Sequence, residues 1–517
     1  MPKEKLMKDT INTNFIKYYW LISLILGVLG TCTLFFATTK NGIGVSPDTT
    51  LYFSVANDMA NLVRYGGDAG TLIIAEPPLF PAVLALFKLV TGAEPFMIAR
   101  YLNAITFGFV IFLSGLMFNR FFGSTPLFFI VGTISVLISY SLVSVYLMAL
   151  TEPQFILFVL MFMFFLNSHL TKPKKMSLLL LSLSAMLAFL TRYIGAVLIF
   201  VGVICMLLFL TVNWKERIRQ SVIFSLMAGL PTSLWVVRDI NSFTKNVSST
   251  IPPKYSLLQN IGNALDNILS WFVPYRVIHN RIFLIVLCFL VGLFASFLIW
   301  DLLKKDRKVN QKVLLFYGPL VVLIVSYFAF LLLLIRFVVD VEDRYLAPIF
   351  IPIAILILGT VRGGISLVRN HVNSKLVALF TVVIIIAWLV IPINKSVHVI
   401  DKHYWEGNGY SSRTWQESGI VQYIVENFQE CTYYSNRNDA IKYLTGLDTK
   451  LIPVKFSSEG EPIPVEEIWP PRGKTCLVFF DNINRYYMYT KEELLAVTDV
   501  KDTIQFDDGI IYIITGR

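Results

Sequence analysis

The sequence predicts a polytopic α-helical membrane protein of about eleven spans, with surface helices on one face and a small C-terminal α/β domain. Three observations carry this expectation. Hydrophobic residues make up 56% of the 517 residues and charged residues only 15%, where soluble domains carry about 25%; the mean hydropathy is +0.66. Apolar runs recur at about the 20 residues a helix needs to cross a bilayer. Near residue 394 the runs shorten to strand length and begin to alternate with helical patterns. In a soluble chain the net charge of +10 would suggest nucleic acid. Here it is distributed as in the loops of a membrane protein, and no nucleic-acid partner is expected.

The N-terminal segment carries Lys3, Lys5, Lys8 and Lys17, and 18–37 reads as the first span. No small-residue cleavage pattern follows it, so it reads as a retained anchor. The preceding lysines place the N-terminus in the cytoplasm. The first external loop, 38–96, holds Asp48 in Ser46-Pro47-Asp48-Thr49 and Glu76 in Glu76-Pro77-Pro78. Between them Leu51, Val55, Met59 and Leu62 recur at helical spacing, which predicts a helix lying along the membrane surface. Residues 79–90 are too few for a span and read as a second surface or re-entrant helix.

Further spans are expected at about 97–118, 125–147, 153–169, 176–191, 193–212, 220–238, 282–303, 313–336, 345–361 and 375–393. Charge agrees with this alternation. Arg120, Lys172, Lys174, Lys175, Lys215, Arg217, Arg219, Lys304, Lys305, Arg362 and Arg369 all fall in loops expected inside. Asp48, Asp58, Asp68, Glu76, Asp340, Glu342 and Asp343 fall outside. The outer loop 239–281 contains a surface helix over 257–272. Residues 1–393 thus form the membrane domain and 394–517 an extracytoplasmic α/β domain of a plasma-membrane protein. In the latter, helices are expected near 415–427, 438–445 and 491–497, strands at 431–435, 450–455 and 475–480, and paired strands to 515. Cys32, Cys205 and Cys288 read as packing residues within spans. Cys431 and Cys476 stand at two strand starts, where oxidation would join them.

The candidate functional residues are ionisable groups at the outer ends of spans. They are Asp48, Glu76, Glu152 in Thr151-Glu152-Pro153, Arg192 in Thr191-Arg192-Tyr193, and Arg344 before Tyr345. Charge close to hydrocarbon is costly, so such groups pair or line a wet cavity. Each also has a structural reading: Asp48 as a helix cap, Glu152 as a charge favoured by a helix dipole, Glu76 as a solvated loop residue, and the arginines as side chains reaching to the interface. Glu76 and His279, on separate outer loops, are two candidate ligands for a shared cation, although an interface role suits His279 better, as it does His398 and His403. Gly473-Lys474-Thr475 lacks the preceding glycine of a phosphate loop, so ATP is not expected.

The order of these features resembles the GT-C superfamily of membrane glycosyltransferases. They are an acid soon after the first span, Glu-Pro-Pro-Leu, an acid at the second outer turn, Phe189-Leu190-Thr191-Arg192-Tyr193-Ile194-Gly195, and Arg344-Tyr345-Leu346-Ala347-Pro348. Over residues 15–393 the sequence is similar to the branch holding the family 39 protein O-mannosyltransferases and the lipid A aminoarabinose transferases. The resemblance implies transfer of one hexosyl or pentosyl group, with inversion, from a polyprenyl-phosphate donor to an acceptor hydroxyl at the outer face. It implies Asp48 and Glu152 as catalytic carboxylates. Glu76, Arg192, Tyr193, Arg344 and Tyr345 would contact substrate, and Glu76 would help hold a divalent metal. Asp48 is followed by Thr49, where mannosyltransferases often have a second acid. The Trp-Trp-Asp motif of oligosaccharyltransferases is absent. Rival readings are a surface-polysaccharide polymerase or ligase, which shares the donor chemistry, and a lipid-linked sugar flippase, which should carry its charges near the membrane midplane. A noncatalytic scaffold for the outer domain is a third.

Overall fold

The computed structural model describes residues 18–65, 76–238, 255–273, 307–334, 341–368, 374–457, 461–481 and 485–515. Among them, seven helices are long and apolar enough to cross a membrane: Tyr19–Ala37, Pro95–Phe122, Glu152–Thr171, Trp214–Val237, Val313–Leu333, Asp343–Ile365 and Leu376–Glu406. The pair Pro126–Leu137 and Tyr140–Tyr146, bent by 41°, makes an eighth if it is one span. The sequence reads 125–147 as one continuous helix; the break has a local cause. Ser139 caps the second piece, its hydroxyl accepting from the Leu142 N–H at 3.4 Å, and the freed Ile138 carbonyl accepts from Ser396 Oγ at 2.6 Å. Interrupted backbone at membrane depth needs such partners.

Shorter apolar helices cover Leu79–Thr91, Lys175–Thr191 and Tyr193–Phe209. The first, of 13 residues, matches the expected surface or re-entrant element. The other two flank Arg192, whose extended backbone (φ −151°, ψ 134°) breaks the helix between them. The Lys175–Thr191 helix has 17 residues and reaches only about 25 Å. The expected span 282–303 lies outside the described residues.

Burial sorts the spans into layers. Pro95–Phe122 and Glu152–Thr171 are 67% and 61% buried and form the centre, whereas Tyr19–Ala37 and Leu376–Glu406, at 28% and 17%, lie at the periphery. Phe107, Phe118, Phe122, Phe129, Phe155 and Phe162 pack the middle. Leu379, Phe380, Ile384 and Ile386 are exposed on the outermost helix, as a lipid-facing surface requires. Cys205 is buried as expected. Cys32 is exposed, so it is no core residue; Cys288 lies outside the described residues. The first span meets Pro95–Phe122 closely: a Cβ on Gly108 would lie 2.5 Å from the Gly27 carbonyl oxygen. Small residues permit that approach between membrane helices.

The last long helix, Ser374–Glu406, runs beyond residue 393. It stops at Gly407 (φ 72°), whose N–H bonds the His403 carbonyl at 2.9 Å. A five-stranded sheet of order β2-β1-β3-β5-β4 follows. Its strands are β1 Thr432–Ser435, β2 Lys450–Leu451, β3 Lys474–Phe480, β4 Val500–Phe506 and β5 Gly509–Thr515. β1 is parallel to β2 and β3, and β5 is antiparallel to β3 and β4. The helix Asn438–Thr445 falls where expected. The expected strand 450–455 is cut to two residues because Pro453 has no N–H for the ladder. The helix expected over 415–427 divides at Ser418, which caps Gly419–Glu426. The third helix ends at Leu495. Cys431 and Cys476 form a disulfide.

The connection into the sheet is fastened to the start of the first loop. The Tyr410 N–H bonds the Val45 carbonyl at 2.7 Å, Asn41 Nδ2 bonds the Tyr404 carbonyl at 2.8 Å, and Ser411 Oγ bonds the Ile43 carbonyl at 2.8 Å. His403 Nε2 stands 3.0 Å from the Gly42 carbonyl. The sheet therefore sits at the same end of the helix bundle as Asp48.

Candidate active site

Asp48 is placed by its neighbours. The helix Pro47–Tyr65 begins with a reciprocal cap in which the Thr49 N–H donates to Ser46 Oγ at 3.2 Å and the Ser46 N–H donates to Thr49 Oγ1 at 3.0 Å. That leaves the Asp48 carboxylate outside the capping exchange. Thr49 also donates to the Ala149 carbonyl at 2.8 Å. The Gly44 N–H reaches the Leu147 carbonyl at 2.8 Å, and the Ala149 N–H reaches the Gly44 carbonyl at 2.9 Å. Buried Asn103 braces the same turn, donating to the Tyr146 and Met148 carbonyls at 3.1 and 2.7 Å. These bonds draw the first loop onto the turn that carries Glu152, about a hundred residues further along the chain.

The helix Pro47–Tyr65 then lies over this end of the bundle. Its buried stripe is Tyr52, Phe53, Val55, Ala56 and Ala60, while Leu51 is exposed. The apolar face is thus turned slightly from the one read by spacing alone.

Five charged side chains from four separate elements converge here. Arg344 Nη1 lies 3.1 Å from Asp48 Oδ2, and Arg344 Nε lies 2.7 Å from Glu342 Oε2 and 3.9 Å from Glu152 Oε1. Arg192 Nη1 lies 2.7 Å from Glu152 Oε1 and donates to Thr151 Oγ1 at 2.8 Å. Arg344 Nη2 donates to the Tyr345 hydroxyl at 2.8 Å. Its guanidinium carbon stands 4.8 Å from the centre of the Tyr345 ring, and that of Arg192 5.6 Å. Glu152 is 1% exposed, both arginines 23% and Asp48 49%. The group therefore runs from a buried pair to a carboxylate open to solvent.

The local sequence explains the arginine positions. Arg192 leaves its helix at an extended residue, and the chain turns at once because the Gly195 N–H bonds the Arg192 carbonyl at 2.8 Å. A Cβ on Gly195 would lie 2.5 Å from the Phe189 backbone nitrogen, so only glycine allows the turn to close this tightly. Arg344 lies in the short helix Asp343–Leu346, anchored by Asp343 Oδ1 accepting from Trp271 Nε1 at 2.6 Å. Tyr327 supports it from the next span, donating to the Tyr345 carbonyl at 2.7 Å.

Glu76 belongs to the same electrostatic neighbourhood. Burial, together with the charges of Asp48 and Glu152, pushes its carboxyl above the usual range against the pull of Arg192. The Tyr52 phenol, buried beside Glu76 and Asp48, is held protonated well beyond its ordinary value. Tyr193 is half-buried and meets Phe189 edge-on at 5.6 Å. His279 lies outside the described residues. Among the described residues no three His, Cys, Asp or Glu side chains converge enough to hold a metal ion. Four members of the neighbourhood escape sequence reasoning: Thr151, Glu342, Tyr52 and Tyr327. Thr151 and Glu342 adjoin singled-out residues and so had a signal. Tyr52 lies in the amphipathic first-loop helix and Tyr327 in an apolar span, and neither had one.

This architecture, a multi-span bundle with its charged cluster at one end under a first loop tied to a C-terminal sheet, is similar to that of a solved membrane protein. ArnT from Cupriavidus metallidurans bound to undecaprenyl phosphate superposes with a TM-score of 0.56 at 12% identity, covering 95% of this chain and 97% of that one. The apo state of the same enzyme gives 0.54 at 12% identity, covering 97% and 98%. The archaeal oligosaccharyltransferase AglB from Archaeoglobus fulgidus reaches only 0.45 at 11% identity, over 84% of this chain and 64% of that one, too slight a likeness to bear on function. No protein family and no curated protein matches the sequence.

Proposed function

We propose that this protein is a membrane glycosyltransferase. It moves one sugar from a polyprenyl-phosphate donor to an acceptor hydroxyl at the outer membrane face, with inversion. The observation that carries the reading is the meeting of Asp48, Glu152, Arg192 and Arg344 at one end of the bundle, in a fold shared with an enzyme bound to undecaprenyl phosphate. A sugar leaving a phosphate needs cations on the departing oxygens, and arginine supplies charge-assisted, two-pronged hydrogen bonds for this. The acceptor hydroxyl needs a carboxylate to take its proton as it attacks, and solvent-open Asp48 suits that role. Glu152, buried against Arg192, orients that guanidinium. Glu76 and Tyr52 shape the acceptor side, with Tyr345 spacing the two arginines. The positive-inside bias of the loops supports a position outside the cytoplasm for this end of the bundle and for residues 394–517.

The test is a transfer assay with purified full-length protein and undecaprenyl-phosphate-linked sugars, offered acceptor lipids from a cell envelope. Asp48→Asn should lower turnover by about 100-fold, the low end of general-base contributions, while expression and bound lipid are retained. Unchanged turnover in a folded Asp48→Asn protein would refute the assignment.

A further inference from the structure

The geometry points to a binding site for an anionic phospholipid at the membrane face opposite Asp48. It goes beyond the transferase reading and stands independently of it. The helix Glu152–Thr171 has 20 residues, so its far end lies about 30 Å from Glu152, one hydrocarbon thickness away. There the loop at 172–174 joins it to Lys175–Thr191, and a cavity opens on each side of that loop.

The first cavity, of 610 Å³, takes Arg120, Lys172 and Lys174 at its rim and Phe165, Leu180 and Phe316 in its walls. The second, of 730 Å³, takes Lys174, Lys175 and Arg219, with Leu179, Ile223 and Met227. Lys174 and Met176 line both. Neither lining contains an Asp or Glu among the described residues. Arg219 is already paired with Glu216 at 2.7 Å, and Arg120 is turned onto the Phe164 carbonyl and Ser168 Oγ. Lys172, Lys174 and Lys175 are exposed, and none is in an ion pair among the described residues.

Apolar walls under a rim of unneutralised ammonium groups match a phosphodiester head with acyl chains below it. Met176, Leu179 and Leu183 continue the apolar surface along the helix, exposed at 63%, 45% and 40%. A free anion would need the rim alone and gain nothing from these walls. Basic pockets between helices at the cytoplasmic side hold phospholipid heads by this combination.

The experiment uses full-length protein in mild detergent, offered equal amounts of phosphatidylglycerol and phosphatidylcholine, with retained lipid counted by native mass spectrometry. Wild type should retain phosphatidylglycerol about five-fold over phosphatidylcholine, a preference that weakens with salt. K172Q/K174Q/K175Q should lose the preference and K172R/K174R/K175R should keep it. The substituted side chains are solvent-facing, and an unchanged melting curve will show that the fold persists. Equal retention of the two lipids, or an undiminished preference in the glutamine variant, overturns the proposal. Competition by inorganic phosphate as strong as by phosphatidylglycerol also overturns it, in favour of a simple anion site. Displacement by undecaprenyl phosphate but not by phosphatidylglycerol would assign the cavity to the donor lipid instead.

Discussion

Glu152→Gln separates a structural ion pair from a loose collection of charges. The wild-type side chain is 1% exposed, with Arg192 at 2.7 Å and Arg344 at 3.9 Å. Glutamine keeps the shape and removes the charge, leaving Arg192 its hydrogen bond to Thr151. Removing one partner of a buried pair costs about 3–5 kcal/mol. Arg192 keeps some contact with water at 23% exposure and its hydrogen bond to Thr151, so about 2–3 kcal/mol is expected. The assay is thermal unfolding of detergent-purified protein, with and without undecaprenyl phosphate. At about 1–2 °C per kcal/mol for so long a chain, the variant should melt about 3–5 °C lower. Undecaprenyl phosphate should then stabilise the variant more than the wild type, because its head group supplies the charge that Arg192 has lost. A variant that melts like wild type, or equal stabilisation of both proteins, would refute the pairing argument.

Glu76→Gln tests the acid that shares this neighbourhood. Burial raises the Glu76 carboxyl above its ordinary 4.5, so the folded state holds a proton that the unfolded chain has given up. The stability tied to that proton is complete below 4.5 and is lost as pH rises through the folded value. The variant's melting temperature should therefore fall less than wild type's over that window; equal slopes would place Glu76 in bulk solvent. Cys431→Ser with Cys476→Ser opens a loop spanning 45 residues, for which loop-closure entropy predicts a loss of about 4 kcal/mol. Limited proteolysis should then cut the sheet region first, and wild type under reductant should behave alike. Resistance equal to that of the oxidised protein would contradict this.

Much of this arrangement is legible in the sequence because a membrane imposes strong constraints. Apolar length marks the spans, and lysines and arginines mark their inner ends. Asp48, Glu152, Arg192 and Arg344 stand out because charge is rare so close to hydrocarbon. The missed features depend on partners distant in the chain. The bend at Ser139 is supported by Ser396, and no local pattern announces that bond. Tyr327 reads as one more aromatic within a span, and only the fold brings its hydroxyl to the Tyr345 carbonyl. The helix Ser374–Glu406 outruns its apolar stretch, running on through Pro392 until Gly407, with its positive φ, ends it. The Cys431–Cys476 bridge, by contrast, is legible from two strand starts, and β1 lying beside β3 brings the two sulfurs together.

Both arginines of the site are already engaged, which constrains how a donor phosphate can enter. It must exchange with a carboxylate, and the two exchanges differ in cost. Taking Arg192 strands Glu152, buried at 1% exposure, with Arg344 Nε at 3.9 Å the next cation among the described residues. Taking Arg344 returns Asp48 and Glu342, 49% and 56% exposed, to water at little expense. Under the proposed function the phosphate therefore goes to Arg344, while Arg192 stays clamped to Glu152 as a fixed positive wall. That single exchange also releases the Asp48 carboxylate from its counter-ion and leaves it free to accept a proton. Donor binding would thus prepare the base, and an acceptor arriving first would meet a carboxylate still held by Arg344.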